Sequence, residues 1–147
     1  MDTREGLRKS MLEATKQRDQ VKLDTLRMAI SAFRYKEIEN KGTLTEDEVL
    51  RVISGLCKQR RDSIEQFSKA GRQDLADKET RELKILEEFL PRPMDRTELE
   101  QLVKKVVQEL GASGAKDTGK VMKTLMPLVA GKADGKLVSE LVKSLLG

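Results

Sequence analysis

The apolar residues of this chain recur every three or four positions along most of its length, a period typical of amphipathic α-helices. In the second such segment the apolar positions are Leu23, Leu26, Ile30 and Phe33. The pattern predicts seven helices, over about residues 3–18, 21–41, 45–70, 74–90, 95–110, 117–129 and 135–146. No segment shows sustained alternation of β-branched and polar residues, so the sequence predicts an all-α fold.

Local signals refine the first three helices. Leu12 is assigned to the inner face of the first helix, and Gly42 is expected to end the second. Thr45 and Glu48 have the spacing of a capping box at the start of the third helix. Gly55, inside that helix, costs about 1 kcal/mol relative to alanine, so we expect another helix to approach closely there.

Prolines mark the interruptions of the pattern. The run Pro91-Arg92-Pro93 cannot continue a helix and holds the chain extended. It therefore divides an N-terminal four-helix bundle, residues 1–90, from a small three-helix domain, residues 94–147. Pro127 is expected to break or kink the sixth helix, because its ring removes the hydrogen bond to the carbonyl of residue 123.

The distribution of charge changes this picture more than the composition does. Charged and hydrophobic residues each make up 37% of the chain, which suits helices with narrow apolar stripes. Residues 1–90 carry 19 Lys and Arg against 18 Asp and Glu, whereas residues 91–147 carry 10 against 7. The net charge of +4 therefore belongs mainly to the C-terminal third. Such an excess favours a polyanion such as RNA, or an acidic protein surface, as partner.

Candidate catalytic groups are few. Histidine is absent, which removes the commonest general base and metal ligand. Cys57, next to Lys58, is either a nucleophile with a lowered pKa or a buried structural thiol, and without a histidine partner we favour the thiol. No nucleotide-binding, hydrolase or metal-binding motif is present. We therefore expect no catalytic site, no metal and no cofactor in this chain.

The N-terminal residues lack the apolar core of a signal peptide, and no apolar run approaches the length of a membrane span. A single cysteine allows no disulfide within the chain, and nothing indicates an oxidising compartment. From these signals we expect a cytoplasmic protein without a membrane partner.

The candidate binding site lies in the C-terminal third. Asp117 and Asp134 are placed to cap two helices, whose free N–H groups and positive dipole ends attract phosphate. Glycines beside these caps keep the backbone open, and lysines add charge. The predicted RNA-binding residues are Lys116, Gly119, Lys120, Lys123, Gly131, Lys132 and Lys136. The alternative is that these lysines only keep a helical surface hydrated.

A second basic surface is predicted on the third helix, at Lys58, Arg60 and Arg61. At i, i+4 spacing Lys58 faces Asp62 and Arg61 faces Glu65. An internally neutralised helix surface therefore explains this run better than contact with RNA does.

Several long motifs resemble the YqeY family of small bacterial proteins. They are the residues KQRRDSIEQF at 58–67, AGRQDLA at 70–76, EEFLP at 87–91, GKVM at 119–122 and GKADGKLV at 131–138. The C-terminal motifs also resemble, more distantly, the tail domain of the GatB subunit of tRNA-dependent amidotransferases. The resemblance covers nearly the whole chain and implies a helical bundle followed by a three-helix tail.

The resemblance also implies a partner, because GatB tails engage tRNA and similar modules are appended to some glutaminyl-tRNA synthetases. It suggests a tRNA-binding accessory protein, with an amidotransferase or an aminoacyl-tRNA synthetase as a further partner. Members of such families are often labelled carbon–nitrogen ligases with glutamine as amide donor, but the kinase and amidase sites of those enzymes lie in other domains. Two alternatives stay open: a partner or subunit in tRNA-dependent amidation, and a protein–protein adapter.

Overall fold

The protein is described by a computed structural model that covers residues 2–147. The seven α-helices of this described part are α1 (Thr3–Gln17), α2 (Gln20–Asn40), α3 (Glu46–Lys69), α4 (Gln73–Glu87), α5 (Arg96–Leu110), α6 (Thr118–Val129) and α7 (Gly135–Leu146). A short 3₁₀ helix, Ala115–Asp117, precedes α6. Residues 2–147 contain no β-strand, so the predicted all-α fold is confirmed.

The chain divides into two compact units, residues 1–90 and 91–147. In the N-terminal unit α3 and α4 make the most extensive helix pair, and α1 and α2 form a second pair. The core side chains come from all four helices of this unit and from the loop before α3. They are Leu7, Leu26, Ala29, Phe33, Leu44, Val49, Ile53, Cys57 and Leu86.

In the C-terminal unit, α5, α6 and α7 contact one another and enclose a separate apolar core. Its buried members are Leu99, Val103, Val106, Val121, Leu125, Val129, Val138, Leu141, Val142 and Leu146. The backbone N–H of Met94 donates to the carbonyl of Lys132 over 2.9 Å, which joins the segment before α5 to the loop between α6 and α7.

The starts of α3 and α5 have side-chain caps within one turn of the helix. The Thr45 side chain accepts from the N–H of Glu48, and the Glu48 carboxylate accepts from the N–H of Thr45, so the predicted capping box is present. Asp95 caps α5 by accepting from the N–H of Glu98 over 2.8 Å. Such caps satisfy N–H groups that have no partner within the helix.

Three local predictions are wrong. Leu12 is 65% exposed rather than buried, because the core side of α1 is filled by Leu7 and Ala14. Lys41, with φ 54°, occupies the left-handed position that ends α2, one residue before Gly42. Among the described residues, no atom of another helix lies within 4 Å of the position of a Cβ on Gly55, so no helix packs closely against it.

Pro127 does not end the sixth helix, since α6 continues to Val129. Its missing N–H removes one hydrogen bond, but the buried side chains of Val121, Leu125 and Val129 lie on one face and hold the last turn against the core. No helix within residues 2–147 combines the length and apolar character needed to cross a membrane.

Candidate nucleic-acid interface

The exposed face of α6 carries two of the predicted lysines. Lys120 and Lys123 are three residues apart and therefore lie on the same side of the helix. Both are exposed, whereas Val121 and Leu125, on the other side, are fully buried. The apolar stripe fixes the rotation of α6 about its axis, so the two ammonium groups point to solvent.

Lys116 lies four residues before Lys120, in the exposed 3₁₀ helix that precedes α6. Asp117 does not cap α6 as predicted: its carboxylate instead accepts from the N–H of Ser113 over 2.8 Å. The N–H groups of Asp117 and Thr118 donate to the carbonyls of Gly114 and Ala115. The N–H groups that were predicted to be free for an anion therefore form hydrogen bonds within the 3₁₀ turn.

The loop between α6 and α7 positions Lys132. Gly131 has φ 72°, a left-handed conformation that glycine adopts without strain. The N–H of Lys132 donates to the carbonyl of Val129 over 2.8 Å, and its own carbonyl accepts from Met94. The backbone at Lys132 is therefore held on both sides, and its side chain is half-buried.

Asp134 caps α7 as predicted, by accepting from the N–H of Lys136 over 3.2 Å. A carboxylate at this helix end occupies one N–H and reduces the attraction for a second anion. The exposed side chain of Lys136 follows directly in the first turn. Some N–H groups at both helix starts are therefore already bonded within the protein, which leaves the lysine side chains as the main candidates for binding an anion.

The five predicted lysines share one electrostatic property. Within residues 2–147, none of their ammonium groups has a carboxylate oxygen within 4.0 Å, and none forms a side-chain hydrogen bond. These lysines are Lys116, Lys120, Lys123, Lys132 and Lys136. Their charge is therefore not neutralised by ion pairing inside the described structure.

The predicted glycines have different roles. No atom lies within 4 Å of the position of a Cβ on Gly119, so packing does not require glycine there and the surface beside Lys120 is open. Gly131 is required by its positive φ. Thr124, which the sequence analysis missed, lies on the same exposed side of α6 and donates its hydroxyl to the carbonyl of Lys120 over 3.2 Å. Its i+4 spacing from Lys120 was the available signal.

The second basic surface is not as predicted, because Arg60 is buried, with 8% exposure. Its Nε atom lies 3.3 Å from a carboxylate oxygen of Glu82 and 3.6 Å from one of Glu79, both on α4. Its Nη2 atom lies 3.0 Å from the sulfur of Met28 on α2. Arg60 thus joins α3 to α4 and α2 and is not available to RNA.

The neighbours of Arg60 differ from each other. Arg61 is exposed and pairs with Glu87 at 3.2 Å, not with Glu65 as predicted. Glu65 instead accepts from Lys69 over 2.9 Å. Lys58 is exposed on α3. The α3 run therefore mixes a buried ion pair with exposed charges and does not form one basic surface.

Cys57 is completely buried in the N-terminal core. Burial, the largest influence, raises the pKa of its thiol, although Arg61 acts in the opposite direction. A thiol with a raised pKa has little thiolate at neutral pH and is a poor nucleophile. No group of three or more acidic or cysteine side chains in residues 2–147 is arranged to hold a metal ion.

Comparison with known proteins places this geometry in context. A family model described as "Yqey-like protein" matches residues 4–146, which confirms the family resemblance drawn from the sequence motifs. An uncharacterized protein of Schizosaccharomyces pombe is 39% identical over 85 residues, which are 58% of this chain and 69% of that protein.

Two further relatives are each named "Altered inheritance of mitochondria protein 41, mitochondrial". The protein of Vanderwaltozyma polyspora is 33% identical over 120 residues, covering 76% of this chain and 64% of the relative. That of Saccharomyces cerevisiae strain YJM789 is 34% identical over 107 residues, covering 71% and 56%. The chain thus spans between 56% and 69% of the length of these three relatives. The prediction of a cytoplasmic location is wrong on this comparison, because these relatives are named as mitochondrial.

Proposed function

We propose that this chain, which belongs to the YqeY family, binds the phosphate backbone of a structured RNA, tRNA being the first candidate, through the lysines of its C-terminal unit. The observation that carries the proposal is the absence of ion pairs at Lys116, Lys120, Lys123, Lys132 and Lys136 within the described residues. An ammonium group without a carboxylate partner keeps its full attraction for a phosphate oxygen.

The unit has five other basic side chains, of which three have a carboxylate oxygen within 4.0 Å and two, Lys104 and Lys143, have none among the described residues. Arg92 pairs with Glu98 at 2.9 Å, Arg96 pairs with Glu100 at 3.0 Å, and Lys105 lies 4.0 Å from Glu109. Residues 111–136 contain five lysines and only two aspartates, and both aspartates accept backbone N–H groups. The excess positive charge is therefore concentrated around α6 and the loop that follows it.

The chemistry of the unit favours recognition of backbone and shape over recognition of bases. Residues 91–147 contain no aromatic side chain on which a base could stack. Lysine binds phosphate as a point charge and carries little sequence information. Structured RNA is recognised in this way through phosphates and shape. The resemblance of GKVM at 119–122 to the GatB tail directs the choice to tRNA.

The test replaces Lys120, Lys123 and Lys132 by glutamate in the full chain. We expect the triple variant to lose tRNA binding, measured by fluorescence anisotropy, and to keep its helical circular dichroism. In the wild type, log affinity should decrease linearly with log salt concentration, with a slope of about 0.7–0.9 for each phosphate contact. The matched control replaces Lys104, Lys105 and Lys143 by glutamate, which changes the charge of the same unit by the same amount.

The comparison of the two triple variants decides the outcome. Selective loss in the first variant supports the proposed site. Equal loss in both variants would show attraction to net charge alone, and unchanged affinity in the first would reject the proposal.

A role in tRNA-dependent amidation stays a prediction, tested by glutamine-dependent conversion of misacylated tRNA with and without the chain. The adapter function also stays a prediction.

A further inference from the structure

A groove of about 570 Å³ runs between α1 and α2 on the N-terminal unit. Arg4 and Arg8 line it from α1, and Arg27 and Arg34 line it from α2. Among residues 2–147, no aspartate or glutamate belongs to the lining of the groove. This concentration is local, because residues 1–90 as a whole carry 19 basic side chains and 18 acidic ones.

The four guanidinium groups are not equally available. Arg4 donates to both carboxylate oxygens of Glu37, at 2.7 and 2.9 Å, and lies 5.5 Å from the centre of the Phe33 ring. Arg27 lies 3.9 Å from Asp24, and because both side chains are about 60% exposed this ion pair is weak. Two arginines, however, form no hydrogen bond or ion pair with any residue in the range 2–147.

These two are Arg8 and Arg34, which come from opposite walls of the groove. Arg34 lies near enough to Glu37 for its charge to help lower the pKa of that carboxyl group, but it forms no ion pair within 4.0 Å. An unpaired arginine on each wall presents planar donors that match carboxylate geometry. An occupant with acids on both of its edges would therefore be held from two sides.

Apolar side chains form the rest of the lining. Met11 and Ile30 are half-buried. Leu12, which was predicted to lie in the core, is 65% exposed. From Arg4 to Leu12 the wall covers nine residues, a rise of about 12 Å at 1.5 Å per step, so it can accommodate roughly two turns of another helix. An exposed leucine beside a groove marks a binding surface more often than an isolated one does.

The spacing of the lining residues also suits a helix as the occupant of the groove. Positions 4, 8, 11 and 12 of α1, and 27, 30, 31 and 34 of α2, each form one stripe at helical period. The three apolar members of these stripes, Met11, Leu12 and Ile30, form an apolar floor, and the other lining residues are four arginines and Ser31. This is the geometry in which one amphipathic helix binds in the groove of a helix pair.

We propose that this groove binds an acidic amphipathic helix of a protein partner. Its apolar side chains would cover Met11, Leu12 and Ile30, and its carboxylates would pair with Arg8 and Arg34. RNA is the weaker candidate, because a phosphate backbone would leave the apolar floor uncovered and none of the described lining residues is an aromatic on which a base could stack. The proposal is independent of RNA binding by the C-terminal unit.

The probe is a synthetic 16-residue amphipathic helix with leucine on one face and glutamate on the other. Its binding to the full chain is measured by fluorescence anisotropy at physiological salt. Replacing both free arginines, Arg8→Gln with Arg34→Gln, should weaken binding at least about tenfold, because two charge-assisted hydrogen bonds are lost. Leu12→Ser should weaken it as well.

Two controls make the result decisive. The double variant Lys9→Gln with Lys16→Gln removes the same charge from exposed positions of α1 outside the groove and should change affinity by less than about twofold. A matched peptide with lysine in place of glutamate should not bind.

Saturable binding of the glutamate peptide that depends on Arg8, Arg34 and Leu12 supports the proposal. It is overturned if the glutamate peptide shows no saturable binding, if the lysine peptide binds equally well, or if the arginine and lysine variants behave alike. Loss of tRNA affinity in the arginine variant, with peptide affinity unchanged, would assign the groove to RNA instead.

Discussion

The substitution Arg60→Met tests the burial of a residue that the sequence places on a basic surface. Removing the guanidinium leaves Glu79 and Glu82 facing each other without their shared cation, at positions where their side chains are only 24% and 17% exposed. Breaking a buried ion pair from one side costs about 3–5 kcal/mol. Because both carboxylates keep some contact with water, we expect a loss of about 3 kcal/mol in the free energy of unfolding.

Cys57 provides the assay, since it is the single cysteine of the chain and is completely buried in the same unit. Its rate of reaction with a thiol reagent under native conditions follows the population of opened N-terminal unit. A loss of about 3 kcal/mol corresponds to roughly a hundredfold faster labelling. The neighbouring control Arg61→Met removes an exposed pair and should cost less than about 1 kcal/mol.

The loss of stability caused by Arg60→Met should also depend on pH. Burial, followed by the nearby Glu82, raises the pKa of Glu79 in the folded state. A carboxyl group with a raised folded-state pKa binds protons more readily when folded, so it destabilises the protein increasingly as pH rises through that pKa. Loss of Arg60 removes a cation that opposes this effect. The penalty of Arg60→Met should therefore be smaller at pH 5 than at pH 7.5, and equal labelling rates for the Arg60 and Arg61 variants would refute the reasoning.

Two further predictions concern the same unit. Gly55→Ala should raise the free energy of unfolding by up to about 1 kcal/mol in urea titrations, since a Cβ there meets no atom within 4 Å, and destabilisation would contradict the open surface. The hydrogen bonds from Arg4, and then from the N–H of Leu44, lower the pKa of Glu37 to about 2. Its stabilising contribution is thus complete above the ordinary value of 4.5 and is lost as pH falls toward 2. Acid titrations of Glu37→Gln should therefore show a smaller loss of stability over this range than the wild type, and identical acid profiles would count against it.

The parts of the fold that depend on neighbouring residues were predictable from the sequence. The capping box of Thr45 and Glu48 and the cap at Asp95 need only residues within one turn, and the structure contains both. The helical period of apolar residues likewise predicts the seven helices, because burial of one stripe decides both the type and the rotation of each element.

The errors come from partners distant in the sequence or from an unforeseen turn. The partners of Arg60 on α4 lie 19 and 22 residues further along the chain, so its own neighbourhood suggests an exposed cation. Asp117 was predicted to cap α6, but the 3₁₀ turn directs its carboxylate to Ser113. The exposure of Lys120 and Lys123 was predictable from the stripe opposite them, whereas the groove between α1 and α2 depends on the pairing of two helices.

The C-terminal lysines have a property that bears on how this surface can vary over evolution. Since no described carboxylate depends on Lys116, Lys120, Lys123, Lys132 or Lys136 for its charge balance, each can be exchanged or chemically acetylated without disturbing the apolar core beneath it. The electrostatic strength of α6 and of the loop that follows it can therefore change gradually, one residue at a time, while the helices keep their packing.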